Sequence, residues 1–119
     1  MSENNFRDVR DFHVKFKQLV GDRPQHLTKR KLAERANFML EELREFAEAA
    51  GLQTQVLDGE DAWRIEFFPK ETGDQNLAGQ ADALIDLVYV ALGTAVMLGL
   101  PWRELWDDVH AANLRKELR

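Results

Sequence analysis

Five carboxylates carry the chemistry most readily read from this chain of 119 residues: Glu41, Glu42 and Glu45 in one segment, Asp82 and Asp86 in another. At 3.6 residues per turn, the glutamates at 41, 42, 45 and 48 fall within an arc of roughly 120°. Leu32, Ala36, Met39, Leu43, Phe46, Ala47 and Ala50 fill the opposite arc. Alone, that is the solvated acidic face of an amphipathic helix. Asp82 and Asp86 change the reading: they lie one turn apart on a second helix, and Tyr89, Val90, Gly93 and Met97 continue their face as an apolar stripe. Ionised carboxylates at the head of such a stripe are costly unless something positive pairs with them. The glutamate-bearing helix offers only Arg44 between Met39 and Ala50. Packing the two helices as antiparallel neighbours brings like charges together, which a cation between them relieves. Hard divalent ions take oxygen ligands, so these residue types point to Mg²⁺, with Mn²⁺ able to substitute, and Mg²⁺ is commonly held by carboxylates together with substrate phosphates.

Such a site needs two helices side by side, and the hydrophobic periodicity predicts them. A first amphipathic helix runs from about Asn4 to Val20, with Phe6, Val9, Phe12, Phe16 and Leu19 on one side, and ends at Gly21-Asp22-Arg23-Pro24. Thr28 caps the second helix, which Gly51 stops. Gln53–Leu57 and Trp63–Phe68 read as short strands, and the Asp58-Gly59 pair between them signals a hairpin. The third helix begins between Asp74 and Ala78 and continues to Leu98, before Gly99. Pro101 fits the first turn of a fourth helix, Trp102 to about Leu118. The expectation is an all-α fold with a small β-hairpin: a four-helix subunit, one domain over residues 1–119, with no repeat or linker.

Composition narrows the partners. A net charge of −5 disfavours a nucleic-acid backbone, whose binding relies on an excess of Lys and Arg, while a nucleotide can still bind through metal ions. Without cysteine there are neither disulfides nor thiolate ligands, and the start MSENNFRDVRDF has no apolar export signal, so the cytoplasm is the expected location. Residues 87–102 carry no charge, yet 16 residues are too few for a membrane span. The expectation is a helix buried on nearly all sides, with a partner subunit supplying part of the cover.

Glu41-Glu42-Leu43-Arg44-Glu45, followed some forty residues later by Asp86-Leu87-Val88-Tyr89, resembles the all-α nucleotide pyrophosphohydrolase superfamily. That superfamily includes MazG-like proteins, phosphoribosyl-ATP pyrophosphohydrolases and dimeric dUTPases. The run from Asp82 through Gly93 and Thr94, and the later His110-Ala-Ala-Asn113-Leu-Arg-Lys116, look like the compact MazG-like proteins. The resemblance covers about Phe12 to Lys116, with the hairpin as an insertion. The family motif is Glu-x-x-Glu on one helix and Glu-x-x-Asp on the next. Glu42 and Glu45 match the first pair and Asp86 the final Asp, but Ala83 stands where the remaining Glu belongs. Either Asp82 supplies the missing oxygen or the site has one ligand fewer.

The resemblance implies hydrolysis of a (deoxy)nucleoside triphosphate between its α- and β-phosphates, giving monophosphate and pyrophosphate. It also implies a Mg²⁺ site of Glu42, Glu45, Asp82 and Asp86, and assembly as a homodimer or homotetramer in an oligomeric helical bundle. Glu41 is the expected residue for positioning the attacking water or holding a further metal. Asn113 and Lys116, three apart on the fourth helix, are the expected substrate contacts, and the alternative for them is a polar helix end complementing the macrodipole. His110 reads as a packed or exposed histidine before it reads as a ligand. Phe12, Phe16, Trp102 and Trp106 read as core before base-stacking groups, and Lys15 and Lys17 as weaker phosphate candidates. No glycine-rich phosphate loop is present. Phosphoribosyl-ATP hydrolysis and a noncatalytic acidic module that binds a basic partner are the alternative functions.

Overall fold

A computed structural model describes residues 5–60 and 63–116. It contains α1 (Asn5–Lys15), α2 (Lys29–Ala49), β1 (Leu52–Asp58), β2 (Trp63–Pro69), α3 (Leu77–Leu98) and α4 (Trp102–Leu114). Four helices and a two-stranded antiparallel hairpin make the fold mostly α, as the periodicity predicts. Asn4, Asp61 and Leu118, assigned from sequence to the first helix, the hairpin turn and the fourth helix, lie outside the described residues.

Helix ends account for most differences from the sequence reading. α1 stops at Lys15 rather than Val20. Lys17 takes φ 55°, its N–H donates to the Val14 carbonyl at 3.2 Å, and Gln18 N–H donates to the His13 carbonyl at 2.8 Å. This is the paired hydrogen-bond pattern that closes a helix on a left-handed residue, here a lysine where glycine is usual. Leu19 and Val20 therefore belong to the connecting loop. α4 ends at Leu114, with Arg115 capping it in helical geometry. Thr28 does cap α2, its Oγ1 accepting from Lys31 N–H at 3.1 Å. In the hairpin, Leu52 pairs with Pro69 and Asp58 with Trp63, so four residues connect the strands.

The chain divides into two compact units. One comprises Met1–Lys31 with Ala91–Arg119, and the other Leu32–Val90. In the first, Val9, Leu92 and Val96 form the core, with Phe6, Val20 and Trp102 packed against it. Phe6 stacks on Trp102 at 6.0 Å between ring centroids. The loop after α1 serves the carbonyls at the end of α3, which have no partner within their own helix. Gly21 N–H donates to Val96 and Gln25 N–H to Leu98, while Gln25 Nε2 donates to Met97. A Cβ on Gly21 would come within 2.7 Å of Gly99 N, which explains glycine there. Buried His13 donates from Nδ1 to the Leu19 carbonyl at 2.9 Å and pins the same loop.

In the second unit α2 and α3 run antiparallel, tied at both ends. Asn76 N–H donates to the Ala49 carbonyl at 2.7 Å, and Asn76 Oδ1 caps α3 by accepting from Gly79 N–H at 3.0 Å. A Cβ built on Gly79 would sit 3.1 Å from Ala49 Cβ, so the backbones approach closely there. At the other end Arg35 Nη2 donates to the Val90 carbonyl at 3.0 Å. The inward side of α2 differs from the sequence expectation. Leu32, Ala36 and Leu43 are exposed, whereas Arg35, Met39, Glu42 and Phe46 are half-buried and Ala47 is buried. Among the described residues α3 is the one helix long and apolar enough to cross a membrane by length and composition, and about 33% of its most apolar window is buried within the chain. A core helix passes the same test.

Candidate functional site

The antiparallel α2–α3 pair brings together the two ends of the carboxylate motif. Glu42, Glu45, Glu41 and Asp86 interact electrostatically, and the effect concentrates on Glu42. Its carboxyl is held above the ordinary range by partial desolvation first, then by a hydrogen bond with Glu45 and by the charges of Glu45, Asp86 and Glu41. Oε2 of Glu42 is shielded from solvent and has no hydrogen-bond partner. A desolvated carboxylate oxygen among like charges is costly, and a cation is the chemical partner that would compensate it.

One turn further along, Glu45, Glu48, Asp74 and Asp82 line an open cavity of ≈ 460 Å³ whose other walls are Ala49, Asn76, Gly79 and Ala83. Ala83, the position of the missing motif glutamate, is 3% exposed and borders this cavity beside Asp82. Small residues at 49, 79 and 83 let the helices approach and leave the space that carboxylates rim. Among the described residues no three Asp, Glu, His or Cys side chains converge into a ready-made metal cage.

The remaining candidates lie in the first unit. Asn113 is exposed on the last turn of α4, and Lys116 is exposed beyond its end. His110 is exposed on α4. Trp102 packs onto the core, while Phe12, Phe16 and Trp106 keep 37%, 55% and 56% of their surface exposed. Phe12 packs against Phe16 at 4.7 Å, and Lys15 Nζ lies 5.5 Å from the Phe16 centroid. Lys17 serves as the left-handed residue that ends α1. Sequence reasoning overlooked Arg35 and Phe38. Their signal was their spacing of seven and four residues before Glu42, which places both near its side of α2.

This mostly helical fold, with Glu42-x-x-Glu45 on one helix and Asp86 on its antiparallel neighbour, fits the MazG-like all-α pyrophosphohydrolase superfamily. The chain belongs to the phosphoribosyl-ATP pyrophosphohydrolase family, whose model matches residues 9–113. No curated protein matches it. Membership makes the protein a nucleotide pyrophosphohydrolase in general terms.

Proposed function

We propose that the chain hydrolyses a (deoxy)nucleoside triphosphate between the α- and β-phosphates, with Mg²⁺ held by Glu42, Glu45, Asp86 and Asp82. The observation that carries this reading is Glu42, whose shielded, unpartnered oxygen stands in a four-carboxylate neighbourhood on the family motif. When bound, the cation neutralises the polyphosphate and lowers the pKa of a water. Glu41, on the outer flank of the same turn, orients that water, and Asp82 supplies the oxygen that Ala83 lacks. Asn113 and Lys116 contact the substrate. The family match itself favours a second reading, hydrolysis of phosphoribosyl-ATP by the same residues.

Product analysis across deoxynucleotides, ribonucleotides and phosphoribosyl-ATP separates the two. Pyrophosphate with the monophosphate from the triphosphates supports the first, and turnover of phosphoribosyl-ATP alone supports the second. Mn²⁺ at about 100 times its dissociation constant is expected to stabilise the fold by about 2.7 kcal/mol. Glu45→Gln and Asp86→Asn remove that stabilisation and lower kcat/KM by at least about 100-fold. No thermal response to Mn²⁺ and no turnover would leave a noncatalytic acidic module instead.

A further inference from the structure

The side of the α2–α3 pair that carries the carboxylates continues beyond them. At about 100° per residue, Arg35, Glu42 and Ala49 point along α2 toward α3, while Phe38, Glu41 and Glu45 share the flank beside that line. On α3, Gly79, Ala83 and Val90 point back, and Asp82, Asp86 and Tyr89 share the adjoining flank. Antiparallel pairing, fixed by Ala49 to Asn76 and Arg35 to Val90, puts both flanks on the same side. Phe38 then comes level with the turn carrying Asp86 and Tyr89. By this helical geometry the carboxylates and the two aromatic rings share one side of the helix pair, the rings lying toward its Arg35–Val90 end.

Both rings keep surface open to solvent, 42% for Phe38 and 38% for Tyr89. Arg35 holds Phe38 in place: its Cζ lies 5.6 Å from the ring centroid while Nη2 is tied to the Val90 carbonyl. Phe38 is one turn, about 6 Å, from Glu42 along the axis, a separation suited to a nucleoside whose phosphates lie on the carboxylate end. We infer that Phe38 and Tyr89 form the subsite for the substrate's nucleobase, with Arg35 as the residue that positions Phe38. The inference rests on the pyrophosphohydrolase reading of the carboxylates and adds what holds the other end of the substrate. Ring stacking engages the π-face that every base has, so this subsite gives affinity with little discrimination among bases.

The test measures binding by calorimetry with Mn²⁺ present, using α,β-imido deoxynucleoside triphosphates and inorganic tripolyphosphate, which has no base. Phe38→Leu and Tyr89→Leu keep apolar bulk while removing the ring, and Phe38→Ala is the harsher control. Each is expected to weaken all four nucleotides by about tenfold and to leave tripolyphosphate binding unchanged. Equal weakening of nucleotide and tripolyphosphate would overturn the inference, because the damage would then be to the carboxylate end. Unchanged nucleotide binding would overturn it too, with the pyrophosphohydrolase reading intact. Wild-type protein that binds neither probe would remove that reading and this one together.

Discussion

Glu42 concentrates the electrostatics of the site, and its protonation sets an expectation for the metal-free protein. Its carboxyl is raised in the folded state, so the native chain holds that proton more tightly than the unfolded one. The associated stability is fully present below the ordinary value of 4.5 and is lost as pH rises through the elevated folded value. At neutral pH, above the ordinary value, the metal-free protein is therefore less stable than it would be without the raised carboxyl, an effect moderated by solvent screening. Glu42→Gln is expected to melt higher than wild type at pH 7 without metal, by roughly 2–4 °C, and to lose stability less steeply between pH 4.5 and 7. With saturating Mn²⁺ the order is expected to reverse, because on the proposed site the substitution would remove a ligand. Thermal melts with and without chelator check both arms, and a lower melting point for metal-free Glu42→Gln at pH 7 would contradict the charge argument.

Elements were legible where a periodic pattern met a clear stop signal. Thr28 begins α2, Gly51 follows its end at φ 79°, and Gly99 follows α3 at φ 65°, all at positions the sequence marks. α1 ran shorter than its pattern because hydrophobic spacing persists through Phe16 and Leu19 while the backbone turns at Lys17, a residue type that gives no warning of a left-handed conformation. The carboxylates were legible for a related reason: period 3.6 groups them, and Asp86 inside an apolar helix is conspicuous. Arg35 and Phe38 were not, since a wheel gives the direction of a side chain and not which neighbour its helix turns toward. Lys17 carries a backbone cost of roughly 1–2 kcal/mol that glycine does not. Lys17→Gly should therefore raise stability in urea melts by somewhat less than that, because glycine also gains freedom in the unfolded chain. A loss of stability would mean that the lysine side chain contributes more than its strained backbone costs.

Across the whole molecule, the buried hydrophobic side chains among the described residues are Val9, Ala47, Ala83, Leu92, Ala95, Val96 and Met97. In the unit of Leu32–Val90 that leaves two alanines, too little apolar burial to hold a helix pair and a hairpin together unaided. The same unit exposes Leu40 and Leu43 on α2 and Leu84 and Val88 on α3, at 37% to 48% of their surface. By the helical geometry that puts Glu41, Glu45, Asp82 and Asp86 on one side of the pair, these four fall toward the opposite side. A second copy can cover them in an isologous contact while the side carrying the carboxylates stays open. Apolar side chains crowded on one face are worth about 25 cal/mol per Å² when covered, and charge placed among them is strongly penalised. Light scattering after size exclusion is therefore expected to give at least twice the chain mass of 13.8 kDa. Leu43→Glu combined with Leu84→Glu should shift the population to monomer and lower the melting temperature. A wild-type monomer at micromolar concentration would mean that the Leu32–Val90 unit is held together without a second copy, and an unchanged oligomer in the double variant would place the contact on another face.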